Sequence, residues 1–346
     1  MRYAAITGWG MAVPEHVVTS AELAAMLGKD EEWITRRSGI RERRIAAPED
    51  TTSSLATAAA QRSLATAGLA AADVDLVIVA TTTPDHPIPA TAPLVQTRLG
   101  AVHAGAFDVN AACAGFLTGL ALGTSLIRGG SISTCLVVGA EVLSRFVDWS
   151  DPSTCVLFGD GAGAVVLERT DREAGLLDVQ FGADGSAAPL LEVAAGGSAR
   201  PASAKTVDAN EHVVRMNGPE VFRAAVRTMT SVAEDAMRLA GIGPDDVDLF
   251  IAHQANSRII DECGERLGLA QDRVFCNVDR YGNTSAASVA IAVCEAAETG
   301  ALRPGSTLLL SAIGAGFAWG AGVVRWTGAR AEPVSFAEGD VLLGVH

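Results

Sequence analysis

Three polar side chains are of types that could together make and break bonds: one where a strand-like run ends in tiny residues, one at the end of an apolar strand, and one just before a small-residue helix. The first is Cys113, in Phe107-Asp108-Val109-Asn110-Ala111-Ala112-Cys113-Ala114-Gly115-Phe116. A strand-like run ends there, and a helix apolar on nearly every face follows from Phe116 until glycines 129 and 130 stop it. A thiol at a helix N-terminus faces the positive end of the dipole, which favours ionisation below its free pKa of about 8.5. The small neighbours let backbone and substrate come close. Free cysteine is also a common core filler, so nucleophile and packing residue both fit this stretch alone.

The second is His253. It ends the strand Asp248-Leu249-Phe250-Ile251-Ala252 and opens His253-Gln254-Ala255-Asn256, directly before a helix. Of six histidines it is the one set between an apolar strand and a helix start, and ligands of open α/β sheets bind at the carboxyl ends of strands. A structural histidine is the competing reading. The third is Asn283, in Tyr281-Gly282-Asn283-Thr284-Ser285-Ala286-Ala287-Ser288, where a simple N-cap competes with a hydrogen-bonding role.

The elements that must position these residues alternate in α/β fashion. Helices are expected over 51–67, 91–99, 219–240, 257–267 and 284–298, and strands over 75–81, 105–109, 133–139, 162–168, 247–252, 307–312 and 321–326. Ala67-Gly68-Leu69-Ala70-Ala71-Ala72-Asp73-Val74-Asp75-Leu76 resembles Ala240-Gly241-Ile242-Gly243-Pro244-Asp245-Asp246-Val247-Asp248-Leu249. Their offset, 248 − 75 = 173, is half of the 346 residues. A duplicated unit follows, two similar halves with parallel-rich sheets covered by helices. The same offset carries Asn283 onto Asn110, beside Cys113, and so puts both loops on one face.

A chain that is 49% hydrophobic and 19% charged has ample material for a large core. Its net charge of −14 argues against nucleic acid and against an anionic membrane as main partners. The six cysteines, at 113, 135, 155, 263, 276 and 294, form no Cys-x-x-Cys pair, so neither a disulfide framework nor a zinc site is expected and a reducing cytoplasm fits. The N-terminus lacks a signal pattern, and no run is expected to span a membrane. Residues 33–44 hold five arginines and one tryptophan, either a solvated basic loop or a seat for a phosphorylated ligand. Residues 182–210, rich in Gly, Ala, Ser and Pro, read as loosely ordered. Gly159-Asp160-Gly161-Ala162-Gly163 runs into a strand, not a helix, and so reads as a tight turn and not a nucleotide loop.

Four motifs in order, Asn110 to Phe116, His253 to Asn256, Gly282 to Ser288 and Gly314-Ala315-Gly316-Phe317-Ala318-Trp319-Gly320, resemble the β-ketoacyl-[acyl-carrier-protein] synthase III family of the thiolase superfamily. The resemblance runs from Arg2 to about Trp326. It implies an α/β, thiolase-like duplicated αβαβα five-layer fold, with halves at 1–172 and 173–346 and an extension after about 327. It implies a cytoplasmic homodimer without a cofactor. Such an enzyme takes an acyl group from an acyl-CoA or acyl-carrier thioester onto Cys113 and condenses it with malonyl on an acyl carrier protein, releasing CO2.

The roles expected beside that are a Cys113 nucleophile, an oxyanion hole from the N–H groups of Cys113 and Ala315, and enolate donors His253 and Asn283. A carboxylate at 283 would suit proton abstraction from acetyl. By matching positions, Trp33 and Arg37 would clamp the coenzyme A adenine, and Gly218 and Asn256 would touch the pantetheine arm. Leu143, Leu157, Phe158 and Met216 would wall the acyl pocket, and Arg223 and Arg258 would dock the carrier. Pro152, Pro219, Ile313 and Ile88 depart from the residues common in the family, Arg, Asn, Phe and Phe respectively. Ile88, in a loop that the family passes across the dimer, is expected to set primer size. The alternatives are an acyltransferase forming an ester or amide without condensation, and a catalytically silent partner subunit.

Overall fold

The structure is a computed structural model that describes residues 2–328. Almost all of the expected extension after 327 lies outside the described residues.

Along the first half run β1 (Tyr3–Ala12), β2 (Val17–Thr19), α1 (Ser20–Leu27), α2 (Glu31–Ser38), β3 (Glu42–Arg44), α3 (Thr52–Ala67), β4 (Leu76–Ala80), α4 (Thr91–Leu99), β5 (Gly105–Val109), α5 (Gly115–Gly129), β6 (Thr134–Glu141) and β7 (Gly161–Thr170). Then come β8 (Gly175–Ala183), β9 (Leu191–Val193), α6 (Ala204–Asp208), β10 (Val214–Met216), α7 (Gly218–Ala240), β11 (Leu249–Ala252), α8 (Ser257–Arg266), α9 (Val278–Tyr281), α10 (Ala286–Glu298), β12 (Thr307–Gly314) and β13 (Ala318–Arg325).

Strand order is β5-β4-β6-β7-β1 on one side and β8-β13-β12-β11 on the other. A single parallel pairing, Ala4 with Gly175, joins the two. Between the sheets lie α5 and α10, whose Leu117, Leu120, Val289 and Val293 share one core with Ile78 and Val137 of one sheet and Ile251 and Leu310 of the other. Outside, α3 and α4 cover the first sheet, and α7 and α8 the second. The result is the five-layer thiolase-like α/β fold.

The repeat is visible in the backbone. Both α3 and α7 end on a left-handed glycine, Gly68 and Gly241, and lead through a 3-10 turn into β4 and β11. Asp75 accepts from the N–H of Thr134, and Asp248 accepts from that of Thr307, tying each buried strand to its parallel neighbour at the same offset.

Helix α5 carries four glycines, each costing about 0.5–1 kcal/mol against Ala. Its Phe116, Leu117, Leu120 and Ile127 are fully buried, each contributing about 1.5–3 kcal/mol, so packing and not propensity makes it helical. Residues 112–129 are long and apolar enough for a membrane span, contrary to the expectation that no run is, because the segment is the mostly buried layer between two sheets. The close approach of α10 to β7 depends on Gly163, where a Cβ would lie 2.5 Å from the Ala290 carbonyl carbon.

Two segments differ from expectation. Residues 33–44 are not a loop: they lie mostly in α2 and β3, with Arg36, Arg37 and Arg41 exposed but Arg43 fully buried and its guanidinium donating to the carbonyls of Val18 and Val156 and to Ser20 Oγ. Residues 182–210 are loose only in part, at 194–203, which are irregular and mostly exposed. The segment holds the end of β8, a 3-10 turn capped by Asp184, then β9, and α6 with a Ser203–Thr206 capping box, and β9 pairs with β10. Short polar caps stand in for apolar periodicity there. The Gly159 to Gly163 turn does run into a strand, with Asp160 buried and accepting from the N–H groups of Ala46 and Ser144.

Candidate active site

Asn110 and Asn283 each make the same turn. Asn110 Oδ1 accepts from the N–H of Ala112 at 3.2 Å, and Asn283 Oδ1 from that of Ser285 at 2.9 Å. Ala112 and Ser285 both sit at φ 47°, a left-handed conformation costly for a residue with a Cβ. In the first half the turn delivers Cys113, in the 3-10 turn Ala112–Ala114 just ahead of α5. In the second it opens α10 with Ser285 as N-cap, so Asn283 is not the cap.

Asn283 is held at both ends of its backbone, its N–H donating to Leu157 O and its carbonyl accepting from the N–H of Gly159. With Oδ1 engaged, the Nδ2 hydrogens remain for a ligand. His253 continues the β11 ladder by donating its N–H to Ser311 O at 2.8 Å, and its Nδ1 lies 2.6 Å from Ser288 Oγ. Burial pushes the imidazole down to about 4, so it is neutral at physiological pH.

The Cys113 thiol donates to Ser285 Oγ at 3.4 Å. Burial pushes it up to about 12; the Ser285 contact pulls it back less, and the Glu141 charge adds to the rise. This corrects the expectation of easy ionisation: desolvation in the buried turn outweighs the helix end. Glu141 was not singled out from the sequence. It is fully buried and accepts from the hydroxyls of Thr81, Thr82 and Thr83, the N–H of Thr82 and the N–H of Ala286, while burial raises its pKa against those donors. It therefore pins the Thr81–Thr83 loop to the start of α10.

A cavity of about 1440 Å3 brings Cys113, His253 and Asn283 together. Gly314, the last residue of β12, and Ala315, in the turn that follows, line it too; a Cβ on Gly314 would lie 2.4 Å from the Cys113 nitrogen. The close approach of Gly314 to Cys113 brings the turn that carries Ala315 toward the cysteine backbone. Leu143, Leu157, Phe158, Met216, Gly218 and Ile313 line the cavity, as do Trp33, Arg37, Asn256, Arg223 and Arg258.

The Arg37 guanidinium lies 4.4 Å from the centroid of the Trp33 ring. Both ends of the Asn256 amide are engaged, Nδ2 donating to Arg37 O and Oδ1 accepting from the N–H of Arg258, so it joins α2 to α8. Arg258 stacks over Phe222, and Arg223 pairs with Glu220. Ile88 does not line the cavity of its own chain and is 88% exposed. Cys294 is buried inside α10 against Ala164 O. Among the described residues no cluster of three or more His, Cys, Asp or Glu side chains could hold a metal.

Comparison with known proteins gives two family models. 3-Oxoacyl-[acyl-carrier-protein] synthase III matches residues 107–185, and the C-terminal part of the same family matches residues 237–326. A β-ketoacyl-[acyl-carrier-protein] synthase III of Roseiflexus sp. (strain RS-1) is 51% identical over 325 residues, 94% of this chain and 99% of that protein. The crystal structure of the synthase III from Thermus thermophilus superposes with a TM-score of 0.87 at 44% identity, covering 94% of this chain and all of that one. The priming β-ketosynthase of the R1128 polyketide biosynthetic pathway also gives 0.87, at 34% identity, covering 94% and 97%.

Proposed function

This chain belongs to the β-ketoacyl-[acyl-carrier-protein] synthase III family of condensing acyltransferases, and from that premise we propose that Cys113, His253 and Asn283 carry its two half-reactions. The observation that supports this most is the convergence of one buried thiol and two neutral donors on a single cavity.

In the first half-reaction Cys113 Sγ attacks the carbonyl of an acyl thioester. The new C–S bond forms first, giving a tetrahedral oxyanion; the donor's C–S bond then breaks, and the thiol proton leaves with the departing sulfur. The N–H groups of Cys113 and Ala315 stabilise the tetrahedral oxyanion. Burial favours the protonated form of the resting thiol, so its proton must leave as the new bond forms and ends on the departing sulfur.

In the second, a malonyl thioester places its carbonyl oxygen against His253 Nε2–H and Asn283 Nδ2–H. Loss of CO2 leaves an enolate whose charge falls on that oxygen, and both donors are fixed and dry. The enolate carbon attacks the acyl-Cys113 carbonyl, the C–S bond breaks, and the released thiolate regains a proton from solvent. Side chains and backbone carry every step, so no resident cofactor is proposed.

Trp33 and Arg37 are assigned to the nucleotide end of a coenzyme A donor, Gly218 and Asn256 to its pantetheine arm, and Leu143, Leu157, Phe158, Met216 and Ile313 to the acyl wall. Arg223 and Arg258 flank the mouth, where an acidic carrier would dock. Strand β5 ends its sheet with an open edge and a part-exposed Phe107, which fits pairing with a second copy. Six unpaired cysteines suit a reducing cytoplasm. Halves dividing near 172 follow from the offset of 173.

Intact-mass analysis after acyl-CoA and acyl-carrier thioesters, then malonyl carrier, tests this. Wild type should gain the acyl mass and then release a β-ketoacyl carrier, and Cys113→Ala should show no gain. An undiminished gain in that variant removes the mechanism. An ester or amide product would favour the acyltransferase alternative, and no gain in wild type a silent subunit.

A further inference from the structure

We infer that Ser288 is a positioning residue for the condensation step: its hydroxyl donates to His253 Nδ1 and so holds the imidazole in the tautomer with its hydrogen on Nε2, facing the cavity. This rests on the assignment of His253 to the enolate made above.

Ser288 Oγ has two partners, His253 Nδ1 at 2.6 Å and the backbone N–H of Gln254 at 3.3 Å. The amide can only donate, so it occupies a lone pair of the hydroxyl, and the single hydroxyl hydrogen is left for Nδ1. No other acceptor for it is present among the described residues. Ser288 and His253 are both buried, where a hydroxyl hydrogen without an acceptor is costly.

If Nδ1 accepts, the neutral ring carries its hydrogen on Nε2, since the bond made by one ring nitrogen sets the state of the other. The opposite tautomer would strand the Ser288 hydrogen. It would also turn a bare Nε2 lone pair toward the cavity, where it would repel an enolate oxygen.

The donor that imposes this order is itself fixed. The Gln254 side chain donates to Ala252 O at 2.8 Å and to Phe275 O at 3.3 Å, and accepts from the N–H of Asn277 at 2.8 Å. Its backbone N–H therefore stays aimed at Ser288, and the polarity runs Gln254 to Ser288 to His253 to substrate. Sequence places Ser288 one helical turn after Ser285, on the face of α10 that looks toward the site.

The test uses full-length protein labelled with 15N-histidine, the His253 signals being assigned by their loss in His253→Gln. Wild type should show hydrogen on Nε2 and a bare Nδ1. Ser288→Ala should populate the other tautomer and lose CO2 release from malonyl carrier by roughly 10- to 100-fold, by analogy with the loss when the partners that orient metal-bound histidines are removed. It should still gain the acyl mass on Cys113, and Ser288→Thr, which keeps a hydroxyl, should recover much of the loss. Hydrogen on Nδ1 in wild type overturns the inference, a result that needs no variant to fold. So does a Ser288→Ala enzyme with unchanged tautomer and CO2 release, or one that loses acylation while its tautomer is kept. Undiminished CO2 release in His253→Ala would instead remove the reading beneath it, whatever the tautomer.

Discussion

Burial holds both titratable members of the site uncharged, the Cys113 thiol by raising it to about 12 and the His253 imidazole by lowering it to about 4. For His253 this has a cost in acid. Its folded pKa lies below the unfolded value of about 6.5, so the unfolded state binds the proton first. The stabilising contribution is whole above pH 6.5 and is lost as pH falls from there to about 4, on the order of 3 kcal/mol across the window. Urea unfolding of wild type and His253→Gln from pH 7 to pH 4 should show wild type losing that much more, and parallel curves would mean the imidazole is not desolvated. That the three residues meet at one cavity was legible from their settings, Cys113 among tiny residues after a strand, His253 at the end of an apolar strand and Asn283 before a small-residue helix. The thiol's protonation was not, since a sequence shows a helix start but not how deeply it is buried. Nor was Glu141, which joins loops from distant parts of the chain.

Two copies of one turn, Asn110 to Ala112 and Asn283 to Ser285, set the geometry of the site, and the β12–β13 turn closes over the first. Gly314 permits that closure. In Gly314→Ala the new Cβ would fall 2.4 Å from the Cys113 nitrogen and 2.7 Å from Ala112 Cβ, forcing the two backbones apart. Losing an oxyanion donor costs on the order of 10²- to 10³-fold, so mass-resolved acylation should slow by about that much. An unchanged rate would show that these N–H groups do not form the hole. At this scale the sequence placed most helices and strands within a few residues, because apolar faces mark them and Gly68, Gly100, Gly130 and Gly241 end α3, α4, α5 and α7. It missed β8, and it missed α2, whose polar and charged residues bury little beyond Ile34 and Ser38.

The duplication was legible across the whole chain from ten residues at an offset of 173, because each copy must end a helix and start a buried strand in the same way. How copies of the chain meet was not, and Ile88 is where that matters. Flanked by Pro87 and Pro89 and 88% exposed, it serves no pocket of its own chain, so a role in primer choice requires a second copy. Ile88→Phe should lose the larger of acetyl, butyryl, isobutyryl and hexanoyl primers while keeping acetyl, measured as kcat/KM. One methylene is worth about 1–3 kcal/mol in an apolar pocket, so the preference should be graded. An unchanged profile would free Ile88 of that role. The claim on which the assembled enzyme stands is that thiol and donors divide the reaction between them. The direct measurement is acylation by intact mass beside CO2 release from malonyl carrier, in His253→Ala and Asn283→Ala. Both variants should still gain the acyl mass while CO2 release falls by at least about 100-fold; variants that fail to acylate yet still release CO2 would contradict it.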